Sequence, residues 1–127
     1  MNNEPYSEYY DVVIVGAGIS GLGAACHLQR LCPDKSYLIL EGREEIGGTW
    51  DLFKYPGIRS DSDLYTFGYD FKPWYGQPIA TAEEIMGYLH EVLEENALSS
   101  KIKYNHWVNS ADWSSKEACW TIGCDGA

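Results

Sequence analysis

A β-strand that runs straight into a glycine turn, and from there into a helix, most constrains what this chain can be. Asp11-Val12-Val13-Ile14-Val15 is a short β-branched apolar run, and Gly16-Ala17-Gly18-Ile19-Ser20-Gly21 follows it directly in the pattern G-x-G-x-x-G. Leu22 to Leu31 reads as a helix and Ser36 to Leu40 as the next strand. Glu41 closes the unit twenty residues after Gly21. Each piece has a task when the ligand is a dinucleotide. Gly16 lets the chain leave the strand sharply. Gly18 has no Cβ, so backbone can approach a pyrophosphate. Gly21 lets helix and strand pack closely. The helix N-terminus turns free N–H groups and a partial positive charge toward phosphates. Glu41 can accept hydrogen bonds from an adenosine ribose. Its charge repels a 2′-phosphate, which favours the adenosine of FAD or NAD over that of NADP. A glycine turn by itself is a weak signal, and a βαβ packing unit is the bland alternative. Here strand, helix, second strand and acid all stand where the mechanism needs them.

The residues after the acid bear on which dinucleotide. Gly42-Arg43-Glu44-Glu45-Ile46-Gly47-Gly48-Thr49-Trp50 ends in a second glycine turn. That gives another close backbone approach along an extended ligand, which a long FAD can use and a short NAD does not need. An ordinary loop with Trp50 as a packing residue is the other reading.

Val12 to Gly21, Glu41, Gly47-Gly48-Thr49-Trp50 and Tyr55-Pro56-Gly57-Ile58-Arg59-Ser60-Asp61 together resemble the N-terminus of the class B flavoprotein monooxygenases. These are the flavin-containing and Baeyer–Villiger monooxygenases. Ser60-Asp61-Ser62-Asp63 and Phe71-Lys72-Pro73-Trp74 are closer to the ethionamide-activating branch. The resemblance runs from about Tyr10 to Ile122. It implies a parent enzyme in which NADPH reduces FAD, and O₂ is then used to oxygenate a small molecule: a ketone, a sulfide or an amine. Carried onto this chain, it implies that Gly16, Gly18, Ile19, Ser20, Gly21, Glu41, Gly42 and Arg43 serve the ADP half of FAD. Gly48, Thr49 and Trp50 then lie along the diphosphate, ribityl and flavin end. Asp61 matches a flavin-proximal aspartate that helps place an active-site arginine, and is the one catalytic candidate. Phe67 stands where several relatives of this type have a tyrosine. Another flavin oxidoreductase, such as an amine oxidase, fits Gly47-Gly48 but not Tyr55 to Asp61. A non-catalytic dinucleotide-binding module is the rival of a different class.

The family pattern also includes a second glycine motif for NADPH and an F-x-G-x-x-x-H signature, and neither occurs in this sequence. The expectation is a C-terminally incomplete FAD domain that is inactive alone. It would self-associate through the apolar edge of Val12 to Val15, which lacks its second neighbour. At 127 residues the chain can bury one modest core. A net charge of −10 with no basic patch argues against nucleic acid or an anionic membrane as partner. Met1 to Pro5 carries no basic region of a signal peptide. No apolar run approaches the ~20 residues of a membrane helix. Cys26, Cys32, Cys119 and Cys124 form no C-x-x-C pair, which points to free thiols in the cytoplasm. The three histidines are scattered, so no metal site is expected.

The expected fold class is α/β: a Rossmann-like FAD-binding three-layer domain with a β-hairpin addition. Residues 1–9 read as a flexible N-terminus, 10–50 as the βαβ unit and 51–80 as an aromatic-rich loop. Residues 81–98 read as a helix, and 101–124 as a strand, Lys101 to Val108, followed by a β-hairpin. Thr81-Ala82-Glu83-Glu84 forms a capping box, and Ile85, Leu89, Val92 and Leu93 recur at helical spacing. Half of the aromatic residues fall between Trp50 and Tyr75. They suit either a wall beside an isoalloxazine ring or a loop pinned by ring packing.

Overall fold

In the computed structural model, which describes residues 8–126, Val12–Val15 forms β1, Ile19–Leu31 α1 and Tyr37–Leu40 β2. The two strands are parallel, from Val12 opposite Tyr37 to Val15 opposite Leu40. A parallel pair needs a long crossover, and α1 supplies it. Ile102–Lys103, β3, joins β2 on its other side, so the sheet order is β1-β2-β3. The central strand β2 is buried along its whole length. Its unbroken apolar run, Tyr37-Leu38-Ile39-Leu40, is what a strand covered on both faces requires.

One core holds the helices to the sheet. Tyr37, Ile39 and Ile102 of the sheet pack with Leu22, Ala25 and Cys26 of α1 and with Ile85, Leu89 and Val92 of α4, Ala82–Glu95. Each of the leucine, isoleucine and valine side chains among them contributes about 1.5–3 kcal/mol when fully buried. The helix and sheet layers of the expected arrangement are therefore present. On the opposite face Val15 stands 61% exposed at the end of β1.

The capping box opens α4 as expected. The Glu84 N–H donates to the Thr81 hydroxyl, and the Thr81 N–H donates to the Glu84 carboxylate. The helix stops at Glu95. Ala97 takes a left-handed conformation (φ 53°), the Leu98 N–H donates to the Leu93 carbonyl, and the Ala97 N–H donates to the Glu94 carbonyl. Leu93 and Leu98 are both buried. This pairing of bonds and apolar contact is the Schellman stop.

Three expectations about the elements need correction. Lys101 to Val108 is not one strand. A 3₁₀ turn at Ser99–Lys101 leads into the two-residue β3, and the chain then turns at Asn105 (φ 58°) into a separate strand, His106–Ser114, β4. Asparagine tolerates that left-handed conformation, and its N–H is taken by the Arg43 carbonyl, so the break is built in. The hairpin is longer than expected: β4 pairs antiparallel with Cys119–Gly126, β5, and Trp113 lies opposite Trp120. Residues 51–80 also contain regular structure. A short helix α2, Thr49–Leu52, enters the segment, and α3, Leu64–Phe67, is capped by the Asp63 side chain accepting from the Thr66 N–H. The expected flexible N-terminus lies outside the described residues except for its last two. Of these, Glu8 forms an ion pair with Lys103 at 3.0 Å. Among the described residues no helix is long and apolar enough to cross a membrane.

Candidate cofactor site

Two glycine turns meet at the C-terminal ends of β1 and β2. Gly16 follows β1 with φ 101°, a conformation that side-chain-bearing residues rarely take. Its N–H donates to the Leu40 carbonyl at 2.8 Å, so the sheet ladder runs right up to the turn. A Cβ at Gly21 would stand 1.9 Å from the Gly16 carbonyl oxygen, so only glycine lets α1 return this close to its own strand. The second turn closes on the first. The Gly47 N–H donates to the Ala17 carbonyl at 3.0 Å, and a Cβ at Gly18 would lie 3.8 Å from the Gly48 Cα. Where the two turns face each other, backbone alone forms the walls.

The electrostatics suit an anion. Gly18 caps α1 without any side-chain hydrogen bond, and no acidic residue stands in the first turn. The first-turn N–H groups of Ile19, Ser20 and Gly21 lack intrahelical acceptors, and the positive end of the helix dipole lies at the turn. Glu41 directly follows β2 and is 7% exposed. One carboxylate oxygen accepts from the Ala17 N–H at 2.7 Å, the other from the Arg43 N–H at 3.0 Å. The acid thus braces the first glycine turn from behind, a role that the sequence pattern alone does not disclose.

The Arg43 side chain pairs with Asp51. Its Nη1 lies 2.7 Å from the Asp51 carboxylate at the start of α2, yet makes no well-aligned hydrogen bond. Charge holds the pair. Burial works against ionisation of Asp51, but Lys54 and Arg43 outweigh it and keep its carboxyl below the usual range. The pair ties the two ends of the second turn together. Thr49 is exposed, and Trp50 meets the ring of Phe67 edge-on, with centroids 6.4 Å apart. Trp50 also lines a cleft of about 510 Å³ with Phe53, Tyr55, Ile58 and Met86. Asp61 is exposed, and no hydrogen bond or ion pair joins it to the glycine turns. Its neighbour Ser60 is fixed instead, by backbone and side-chain bonds to Ala80.

The aromatic segment divides between the two readings open to it. Tyr69, Phe71 and Trp74 pack against the core, whereas Phe53 and Tyr55 stay half-exposed at the cleft. Trp107 is a site residue that motif reading misses. A Cβ at Gly42 would lie 2.5 Å from its ring, so the indole packs against the backbone just after Glu41. A glycine directly after the acid is the one sequence signal of a bulky neighbour there.

A strand–glycine turn–helix–strand–acid unit with a second glycine turn against the first defines a Rossmann-like dinucleotide-binding fold, of the type seen in monooxygenase N-terminal domains. Residues 14–74 match the family model of the NAD(P)-binding Rossmann-like domain. Homologues of the chain are FAD-containing monooxygenases. The FAD-containing monooxygenase EthA of Mycolicibacterium smegmatis is 58% identical over 117 residues, covering 91% of this chain and 24% of the relative. EthA of Mycobacterium tuberculosis is 56% identical over the same shares. The solved structure of an oxidized steroid monooxygenase bound to NADP superposes with a TM-score of 0.84 at 33% identity, covering 91% of this chain and 23% of that one. The chain therefore spans about a quarter of the length of the relatives it matches.

Proposed function

We propose that this chain holds the ADP half of FAD in an NADPH- and O₂-dependent monooxygenase. The observation that carries the reading is the backbone-walled meeting of the two glycine turns, beside an uncapped helix N-terminus and a buried acid. Gly16, Gly18 and Gly48 leave room for a diphosphate, and the N–H groups of Ile19, Ser20 and Gly21 would hold its oxygens. Glu41, already fixed by Ala17 and Arg43, keeps acceptor capacity toward a ribose and repels a 2′-phosphate. Thr49 and Trp50 would lie toward the flavin end. Bound FAD supplies the redox chemistry, by which NADPH and O₂ oxygenate a ketone, a sulfide or an amine. NADPH and substrate would be met by other parts of the longer protein.

Asp61 belongs to this proposal as a positioning aspartate near the flavin. Its exposure and lack of a partner among the described residues suit a group that waits for one. The edge strand β1, with Val15 exposed, supports self-association of the chain on its own. Four free thiols fit a cytoplasmic setting.

The test is a titration of the chain with ADP, FAD and 2′-phospho-ADP, with light scattering alongside. The reading expects binding of the first two and rejection of the third. No binding of ADP or FAD, or equal binding of the 2′-phosphorylated nucleotide, would overturn it. In the longer protein, Asp61→Ala should retain FAD and slow NADPH-dependent turnover. Unchanged turnover removes Asp61 from the site.

A further inference from the structure

Tyr69 lies fifty residues after Ile19 in sequence and touches the first turn of α1. Its hydroxyl donates to the Ile19 carbonyl. The contact is built from several sides. Gly23, one turn along α1, gives the ring its space: a Cβ there would stand 2.8 Å from Tyr69 Cε1. The ring is stacked between Phe71, 4.7 Å away and nearly parallel, and Tyr88 of α4 at 5.8 Å. Phe71 in turn lies under the Arg30 guanidinium of α1 at 4.3 Å. The Tyr69 backbone is also fixed, since its N–H donates to the Tyr88 hydroxyl at 2.9 Å, which itself donates to the Lys72 carbonyl at 2.6 Å. Burial pushes the Tyr69 phenol well above its ordinary pKa, so it remains a donor.

The Ile19 carbonyl and the Ser20 N–H are two ends of one peptide group. A donor at the carbonyl polarises that group and strengthens the N–H at its other end. That N–H is one of the unpaired donors at the glycine turn. Resting on the dinucleotide reading above, we propose that Tyr69 is a positioning residue for the phosphate site: it orients and polarises the Ile19–Ser20 peptide so that the Ser20 N–H grips a diphosphate oxygen. Tyr69 and Phe71 then serve the cofactor site through α1, without touching the ligand. Gly23 is explained by the same contact, because a mid-helix glycine otherwise weakens a helix.

The experiment is an NMR titration of the whole chain with ADP and with adenosine, which lacks phosphates. Tyr69→Phe keeps the ring and its stack and removes only the hydroxyl. The expected result is a loss of ADP affinity of roughly three- to tenfold, unchanged adenosine affinity, and an upfield move of the Ser20 amide proton. Gly23→Ala should displace the ring and give the same ADP-selective loss with the hydroxyl still present. Unchanged ADP affinity in Tyr69→Phe overturns the proposal. So does an equal loss for adenosine, which would mark Tyr69 as a stability residue only. A wild-type chain that binds neither probe overturns the dinucleotide reading and this role with it, a result distinct from wild type and variant binding alike.

Discussion

The glycine turns and the hairpin are built on opposite principles. At the turns, backbone groups are tied across the sequence: Gly16 to Leu40, Gly47 to Ala17, and Ala17 to the Glu41 carboxylate. Leu40, Ala17, Glu41 and Gly47 are buried, and at Gly21 a side chain is excluded outright by a 1.9 Å approach to the Gly16 carbonyl. In the hairpin, β4 and β5 are tied chiefly to each other. The Trp113–Trp120 pair is 52% and 60% exposed, and the link to the sheet is at the root, where the His106 N–H donates to the Glu41 carbonyl. A two-stranded ribbon is marginal on its own in water. Long-range ties are concentrated around the space a ligand would fill, and the extremity is left to local pairing.

The largest expected effect tests the rigid end. Gly21→Ala places a Cβ against the Gly16 carbonyl, so α1 has to back away from β1; about 3 kcal/mol of stability should be lost in urea unfolding. A variant of near wild-type stability would show that this approach is slack. Next comes Glu41→Ala, which strips the buried Ala17 N–H of its acceptor and removes a charge-assisted bond. Roughly 2–3 kcal/mol of stability should go, with ADP affinity falling in the same titration. If only affinity falls, the bracing role is wrong and Glu41 is a ligand contact alone.

Trp113→Ala tests the loose end. About 1 kcal/mol should be lost, and hydrogen exchange should speed up in β4 and β5 but not in β1 and β2. Faster exchange in both regions would dissolve the contrast. The smallest effect is the Arg43–Asp51 pair. The folded pKa of Asp51 lies below its unfolded value, so its contribution is present above about pH 4 and lost as pH falls through the folded value. Asp51→Asn should lie below wild type by roughly 0.5–1 kcal/mol at pH 7, and the gap should close toward pH 3 in thermal melts. A gap that persists at low pH means Asp51 acts by shape.

What the sequence disclosed follows the same division. The βαβ unit was legible because its signals are local: a β-branched run, a glycine pattern, and a helix with an acid at fixed distance. The capping box of α4 was legible for the same reason. The break at Asn105 was not, since a single asparagine in an alternating polar and apolar stretch gives little warning of a left-handed turn. The end of α4 was legible only to within a few residues, because alanine, not glycine, fills the left-handed position. At the site, motif spacing named Gly16, Gly21 and Glu41 but not their partners. Asp51 meets Arg43, Trp107 meets Gly42, and Tyr69 meets Ile19 and Gly23, and no local pattern encodes the last two contacts, which span about fifty residues or more.

Trp107 against Gly42 has a use beyond packing. Its indole is 63% exposed, beside Glu41. Trp113 and Trp120 sit far along the same hairpin and Trp74 belongs to the helix side, so their fluorescence forms a background, and replacing Trp50 beside the second glycine turn by phenylalanine leaves Trp107 as the one indole near the nucleotide. Emission from Trp107 is positioned to answer to an adenosine at the acid, and to transfer energy to a flavin bound nearby. The chain carries its own optical probe at the spot where occupancy matters.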